Sequence, residues 1–293
     1  MSDDEQDFGS LKPQRDTRRP GQLLKWVGNK YRDAPTIVEH FPYKYNTYYE
    51  PFLGTGGVLG TLNPPNAIAG DTLEPLIELW EMVKNDPNKV IKHYEETVTE
   101  IQEGDKEEIY ENIKNSYNEE ANALDLLMIS RTCYGGVIRF TKEGKISTPV
   151  GPHDPMKPST FEKRTREWHE IIQGTEFHNQ SFEETLSTVS ENDLVYLDPP
   201  YVLCQDILYG AQNFSVDKLW SEIRRCKEKG VKVALSIDES KKSGDVEVDV
   251  DIPQDLFERE VLIEKGSSML RRFQMEDEEM VGEDVRDRLL LTW

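Results

Sequence analysis

Leu194-Val195-Tyr196-Leu197-Asp198-Pro199-Pro200-Tyr201 is a four-residue apolar run that ends in an acid, two prolines and an aromatic ring. The run has the length and character of a strand buried on both faces of a parallel sheet. Two prolines stop it, since neither can donate a ladder hydrogen bond and each fixes its own φ. Asp198 and Tyr201 are therefore expected on stiff backbone at the carboxyl end of a strand, where open α/β sheets bind ligands.

Such a turn suits one chemical problem. An exocyclic ring amine is a poor nucleophile because its lone pair is delocalised into the ring. A carboxylate and a backbone carbonyl that accept both N–H groups favour the pyramidal amine and free the lone pair. Asp198 and the Pro199 carbonyl supply those acceptors, Pro200 stiffens the turn, and Tyr201 offers a ring to stack on a base. Such stacking is worth roughly 1–3 kcal/mol per base. The plain alternative, an Asp capping a helix after a Pro-Pro loop, accounts for neither the strand before the acid nor the ring after it.

Upstream, Tyr48-Tyr49-Glu50-Pro51-Phe52-Leu53-Gly54-Thr55-Gly56-Gly57 reads as an aromatic-rich strand feeding a glycine turn. Gly54 and Gly56 let backbone approach a ligand closely, with their N–H groups expected to face it. About one βα step later, Ala67-Ile68-Ala69-Gly70-Asp71 reads as a second strand ending in an acid, the usual hook for a ribose diol. The three-glycine run that cradles a pyrophosphate is missing, so the site suits a nucleoside without phosphates, and S-adenosylmethionine fits. Glu50, Phe52, Gly54, Gly56 and Asp71 are the candidate cofactor contacts. Earlier still, Trp26-Val27-Gly28-Asn29-Lys30 suggests a turn that presents a ring and a cation before a helix over Ala34–His40. Trp26 could pack a flat ring and Lys30 could meet a ligand carboxylate.

Size and composition set bounds. At 293 residues, 36% hydrophobic, the chain can hold one large α/β domain plus an insertion, or two domains. No window approaches a membrane span, and Met1–Glu5 lacks the order of a signal peptide, so a cytoplasmic protein is expected. Cys133, Cys204 and Cys226 have neither zinc nor disulfide-framework spacing, and no metal is expected. The net charge of −21 has the wrong sign for binding nucleic acid by bulk electrostatics. Its distribution is uneven. Residues 131–170 hold eight basic against five acidic side chains, whereas residues 74–120 hold five against fourteen.

Residues 1–20 are polar and read as a disordered arm. Residues 73–128 read as helices, most of them a solvated insertion. Strand-like alternation around Lys142-Glu143-Gly144-Lys145 suggests a β-hairpin carrying Arg139, Lys142 and Lys145, and a two-stranded ribbon fits the major groove of DNA. Phe177, Ser181 and Phe182 fall on a strand and turn ahead of the acidic motif. After Tyr201 come a loop over 202–214, a helix through Leu219–Cys226, a strand over Val231–Ile237, and a closing strand pair over Leu256–Ile263 and Leu289–Trp293. Arg271 and Arg272 read equally well as phosphate contacts or as surface charge.

Taken together, these motifs resemble the Dam-like adenine-N6 DNA methyltransferases over most of the chain from Leu23 to Trp293. The order, cofactor turn first, long middle segment second, Asp198–Tyr201 third, is similar to that family's alpha group. The resemblance implies a Rossmann-like, S-adenosylmethionine-dependent methyltransferase sheet with an inserted helical plus β-hairpin target-recognition region. Residues 21–84 and 172–293 would form the catalytic domain and residues 85–171 the insertion. Trp26 and Lys30 would contact the cofactor, Asp71 its ribose, and Ser181-Phe182 would lie beside its adenine. Tyr134–Arg139 and Ile146–Gly151 would form the recognition hairpin. Asn29 and Gly135 depart from the residues frequent at those places in the family.

The implied reaction moves a methyl group to adenine N6 in double-stranded DNA after the base leaves the stack. A cognate restriction or defence system is a partner the resemblance allows, and the sequence carries no signal for an oligomeric state. Three other readings stay open: the same chemistry on cytosine N4 or on RNA, a glutamine or small-molecule methyltransferase, and a catalytically silent DNA-binding or regulatory module. Asp198 counts against the second, since Asn commonly stands in that place there.

Overall fold

The computed structural model describes residues 17–200, 214–238, 242–243, 246–247, 251–264 and 286–293. Among them, seven strands form one sheet: β1 (Tyr48–Glu50), β2 (Ala67–Asp71), β3 (Thr175–Asn179), β4 (Leu194–Leu197), β5 (Lys232–Asp238), β6 (Arg259–Glu264) and β7 (Arg286–Leu291). Their order is β3-β2-β1-β4-β5-β7-β6. Neighbours from β3 to β5 run parallel, and β7 lies antiparallel between β5 and β6. Each strand of this sheet matches one expected from the sequence, within a few residues at its ends, whereas the hairpin expected around residues 142–145 has two isolated bridges in place of regular strands.

Period-two alternation explains why the central strands read as unbroken apolar runs. Tyr48, Leu194, Tyr196, Ala234, Leu289 and Leu291 face one core, while Tyr49, Val195, Leu197, Val233, Leu235 and Leu290 face another. Helices cover both. On the first side lie α1 (Ala34–Glu39), α2 (Gly57–Leu62), α3 (Glu74–Asn85), α4 (Pro87–Glu103), α5 (Lys106–Glu119), α6 (Ala123–Thr132) and α7 (Pro158–Ile171). On the second lie α8 (Phe182–Ser187) and α9 (Val216–Glu228). In α9, Leu219, Trp220, Ile223 and Cys226 make one buried stripe, and the Ser215 hydroxyl caps the helix by accepting from the Lys218 N–H at 3.4 Å. Each large side chain so buried contributes about 1.5–3 kcal/mol.

The middle segment is helical as expected, but it is not mostly solvated. Leu76, Leu79, Trp80 and Val83 of α3, Val90, Tyr94 and Val98 of α4, Tyr110 and Tyr117 of α5, and most of α6 are buried. Sparse apolar residues at helical spacing suffice for one inward face, and the acidic excess occupies the outer faces. Side chains of Asp86, Asp105 and Asn122 cap the successive helices. Tyr94 stacks on Phe161 of α7 with ring centroids 3.8 Å apart. These residues share a single hydrophobic core with the sheet, so residues 85–171 have no core of their own.

Residues 17–20 pack on the body, where composition alone suggests a disordered arm. The Arg19 guanidinium lies 4.7 Å from the centre of the Tyr31 ring and donates to the Tyr31 carbonyl at 3.2 Å, and Pro20 is buried. Among the described residues no helix is long and apolar enough to cross a membrane.

Candidate active site

The order of the sheet reverses at β1 and β4. From this pair the chain builds outward through β2 and β3 on one side and through β5 and β7 on the other. A crevice at such a switch point, outside the carboxyl ends of the strands, is where open α/β sheets hold ligands. Glu50 ends β1 and Asp198 follows β4, so the fold brings both carboxylates to this place.

A buried polar cluster surrounds them. The Lys30 ammonium sits 2.8 Å from Asp198 Oδ1 and 3.7 Å from Asp287 Oδ2, and donates to the Gly28 carbonyl at 3.4 Å. The Lys30 side chain is only 4% exposed, so protein carboxylates hold it where the sequence suggests a ligand carboxylate. Asn29 fixes the turn that delivers it: its side chain donates to the Trp26 carbonyl at 2.6 Å and accepts from the Tyr31 N–H at 3.3 Å. Glycine at this position could do neither.

Glu50 lies under the same cluster and accepts from the Tyr48 hydroxyl at 2.7 Å. Burial raises its carboxyl to about 8 and Asp198 adds to the rise, against hydrogen bonds from Tyr48 and the Leu59 backbone that lower it. The Tyr196 hydroxyl shares a hydrogen bond with Ser236 Oγ at 2.8 Å. Burial, then the charge of Asp198, pushes that phenol well above its ordinary range.

On the β1–β2 side lies the glycine turn. Gly54 and Gly56 have φ of +49° and +64°, a left-handed backbone that favours glycine. Their N–H groups do not face outward as expected. Gly54 donates to Asp71 Oδ2 at 3.1 Å, and Gly56 donates to the Leu53 carbonyl at 2.8 Å. Asp71 Oδ1 also accepts from the Leu73 N–H at 3.1 Å, so this acid braces the turn as well as ending β2. The Trp80 indole donates to the Gly54 carbonyl at 3.1 Å from behind. Trp26 lies beside Gly54: a Cβ built there would sit 4.0 Å from its ring.

Phe52 stacks on Phe182 with centroids 5.3 Å apart, and Phe214 closes on both rings at about 6 Å. Ser181 caps α8, accepting from the Glu184 N–H at 3.2 Å while Glu184 returns a bond to the Ser181 N–H at 2.8 Å. The flat apolar group of Phe52, Phe182 and Phe214 suits a purine, and the Asp71 carboxylate with its two acceptor oxygens suits a ribose diol, so these residues fit an adenosine-bearing cofactor.

Residues 133–150 double back as an irregular ribbon without regular strands, bridged in antiparallel fashion at Cys133–Val150 and Phe140–Ile146, with a tight helical turn at Tyr134–Gly136. The Thr141 N–H donates to the Lys145 carbonyl at 2.7 Å, and Gly144 turns the chain at φ +78°. Tyr134, Arg139, Lys142 and Lys145 are exposed on it. Tyr201, Arg271 and Arg272 lie outside the described residues.

Sequence reasoning missed Tyr48, Ser236, Phe214 and Asp287. Phe214 ends a stretch that reads as a loop, and Asp287 between two arginines looks like surface charge. Only long-range pairing of β7 with β5 carries Asp287 inward, where it is 1% exposed.

Residues 26–264 match the family described as D12 class N6 adenine-specific DNA methyltransferase. The chain is 27% identical over 226 residues to a DNA adenine methylase of Vibrio cholerae, spanning 73% of this chain and 80% of that protein. It is 26% identical over 238 residues to the Type II methyltransferase M1.LlaDCHI of Lactococcus lactis subsp. cremoris, with the same coverage of 73% and 80%. To the Retron Ec67 DNA adenine methylase of Escherichia coli it is 31% identical over 185 residues, 61% of this chain and 63% of the relative.

Proposed function

The chain belongs to the D12 class N6 adenine-specific DNA methyltransferases, and on that premise we propose that it carries a methyl group from S-adenosylmethionine to an adenine rotated out of the duplex. The observation that carries this reading is Asp198 at the end of β4, beside the glycine turn of β1, with its carboxylate held by the buried Lys30.

Asp198 and the Pro199 carbonyl accept the two N–H groups of the target amine, which frees the nitrogen lone pair. Pro200 keeps that backbone rigid, and Tyr201 stacks on the extruded base. When bound, S-adenosylmethionine supplies the electrophilic methyl group. Asp71 takes the ribose hydroxyls, and Phe52, Phe182 and Trp26 hold flat surfaces. Gly54 and Gly56 shape the turn, Ser181 sets the start of α8 beside the adenine, and Glu50 supports the turn from below. As the nitrogen gains a methyl group it sheds a proton, and Asp198 is the acceptor nearest to it. Positioning and fixed charge carry the rate.

Residues 85–171 serve as the target-recognition region, with the ribbon's Tyr134, Arg139, Lys142 and Lys145 against DNA; Arg271 and Arg272 add phosphate contacts. Association with a restriction or defence system draws support from the names of the Lactococcus and retron relatives. A cytoplasmic location follows from a DNA substrate.

The test is single-molecule sequencing of plasmid DNA from a methylation-free host expressing the chain, beside Asp198→Ala. N6-methyladenine at one recurring site, reduced at least roughly a hundredfold in the variant, is expected. Near-normal methylation by Asp198→Ala would sink the assignment of this carboxylate.

A further inference from the structure

We propose that Asp287 is a positioning residue for methyl transfer, holding the Lys30 ammonium on Asp198 so that the carboxylate enters the reaction with its orientation set by the protein. Three segments far apart in the chain meet at Lys30 Nζ: Gly28 O at 3.4 Å, Asp198 Oδ1 at 2.8 Å and Asp287 Oδ2 at 3.7 Å. An ammonium has three donors on a flexible stem, and one partner alone leaves it free to swing about that bond. A hydrogen bond to Gly28, a close ion pair with Asp198 and a longer ion pair with Asp287 together restrict its place.

Charge gives the arrangement a second effect. Burying a cation is costly unless it is paired, and one carboxylate already neutralises it. Asp287 adds a second carboxylate to that pairing at 3.7 Å. Backbone geometry places Asp287 for this purpose. It is opposite Asp238 on β5, the neighbour of β4, and its side chain is 1% exposed, as befits a group built into the protein and not a surface acid. The residue lies beyond the stretch that matches the family.

The inference rests on Asp198 being the acceptor of the target amine, and the experiment separates the two. Asp287→Asn preserves shape and removes the charge. Its kcat should fall roughly ten- to hundredfold with KM for DNA and for S-adenosylmethionine little changed, the pattern of a lost positioning group. In a Lys30→Met background the same change should cost no further kcat, because a residue acting through Lys30 has nothing left to act through. Wild-type kcat in Asp287→Asn, a loss confined to KM, or losses that multiply in the double variant would overturn the inference. Should Lys30→Met not fold, the kcat-against-KM split of Asp287→Asn alone decides. If Asp198→Ala is silent while Asp287→Asn turns over normally, this inference alone falls. Should Asp198→Ala itself turn over normally, the acceptor assignment falls and takes this inference with it.

Discussion

Glu50 is the residue at which burial and hydrogen bonding compete most directly. Two donors, the Tyr48 hydroxyl and the Leu59 N–H, favour its charged form, yet burial and Asp198 hold the carboxyl at about 8, above its ordinary 4.5. At neutral pH the folded protein therefore keeps a proton there that the unfolded chain releases. Between those two values the folded state binds more protons, so this group's contribution to stability falls as pH rises from about 4.5 to about 8. Glu50→Gln removes that slope and gains on the order of 1–3 kcal/mol over the wild type at pH 8. Urea unfolding of both proteins at pH 5 and pH 8 checks it, and parallel slopes would show that Glu50 does not titrate in this window.

Among the elements, α5 is the one whose role was least visible. Its Asn118 side chain pairs with both backbone groups of Ile146, donating to the carbonyl at 3.0 Å and accepting from the N–H at 2.7 Å, while the Tyr110 hydroxyl donates to the Thr148 carbonyl at 2.8 Å. An acidic helix thereby acts as the missing neighbour strand for one edge of the ribbon. Asn118→Ala leaves both Ile146 groups short of a partner, at a cost of about 1–3 kcal/mol each if they stay dry. Faster amide hydrogen exchange at residues 139–147 is expected, with weaker DNA binding and unchanged cofactor affinity. Unaltered exchange there would mean that the ribbon stands without α5.

Over the whole molecule, a net charge of −21 coexists with a ribbon bearing Arg139, Lys142 and Lys145. On the proposed reading, electrostatic attraction to DNA is local to that ribbon, and acidic faces elsewhere oppose misplaced binding. Replacing the three cations by alanine should reduce the slope of log binding constant against log salt by roughly 0.9 for each phosphate no longer neutralised. Titrations from low to moderate salt would measure it, and an unchanged slope would remove the ribbon from the phosphate backbone. Much of the architecture was legible in the chain. Apolar runs bounded by Gly54, Gly56, Pro199 and Pro200 specify strands and their ends, because burial periodicity and backbone stereochemistry are local properties. Asp198 and Asp71 could be placed at strand ends for the same reason. Tertiary structure alone decided what those strand ends face. Lys30 turned to Asp198 and Asp287, Asp71 to the Gly54 N–H, and a helical segment rich in acids joined the main core. Each of these depends on residues distant in sequence coming together, and a buried charge shows its partner only when the chain is closed around it.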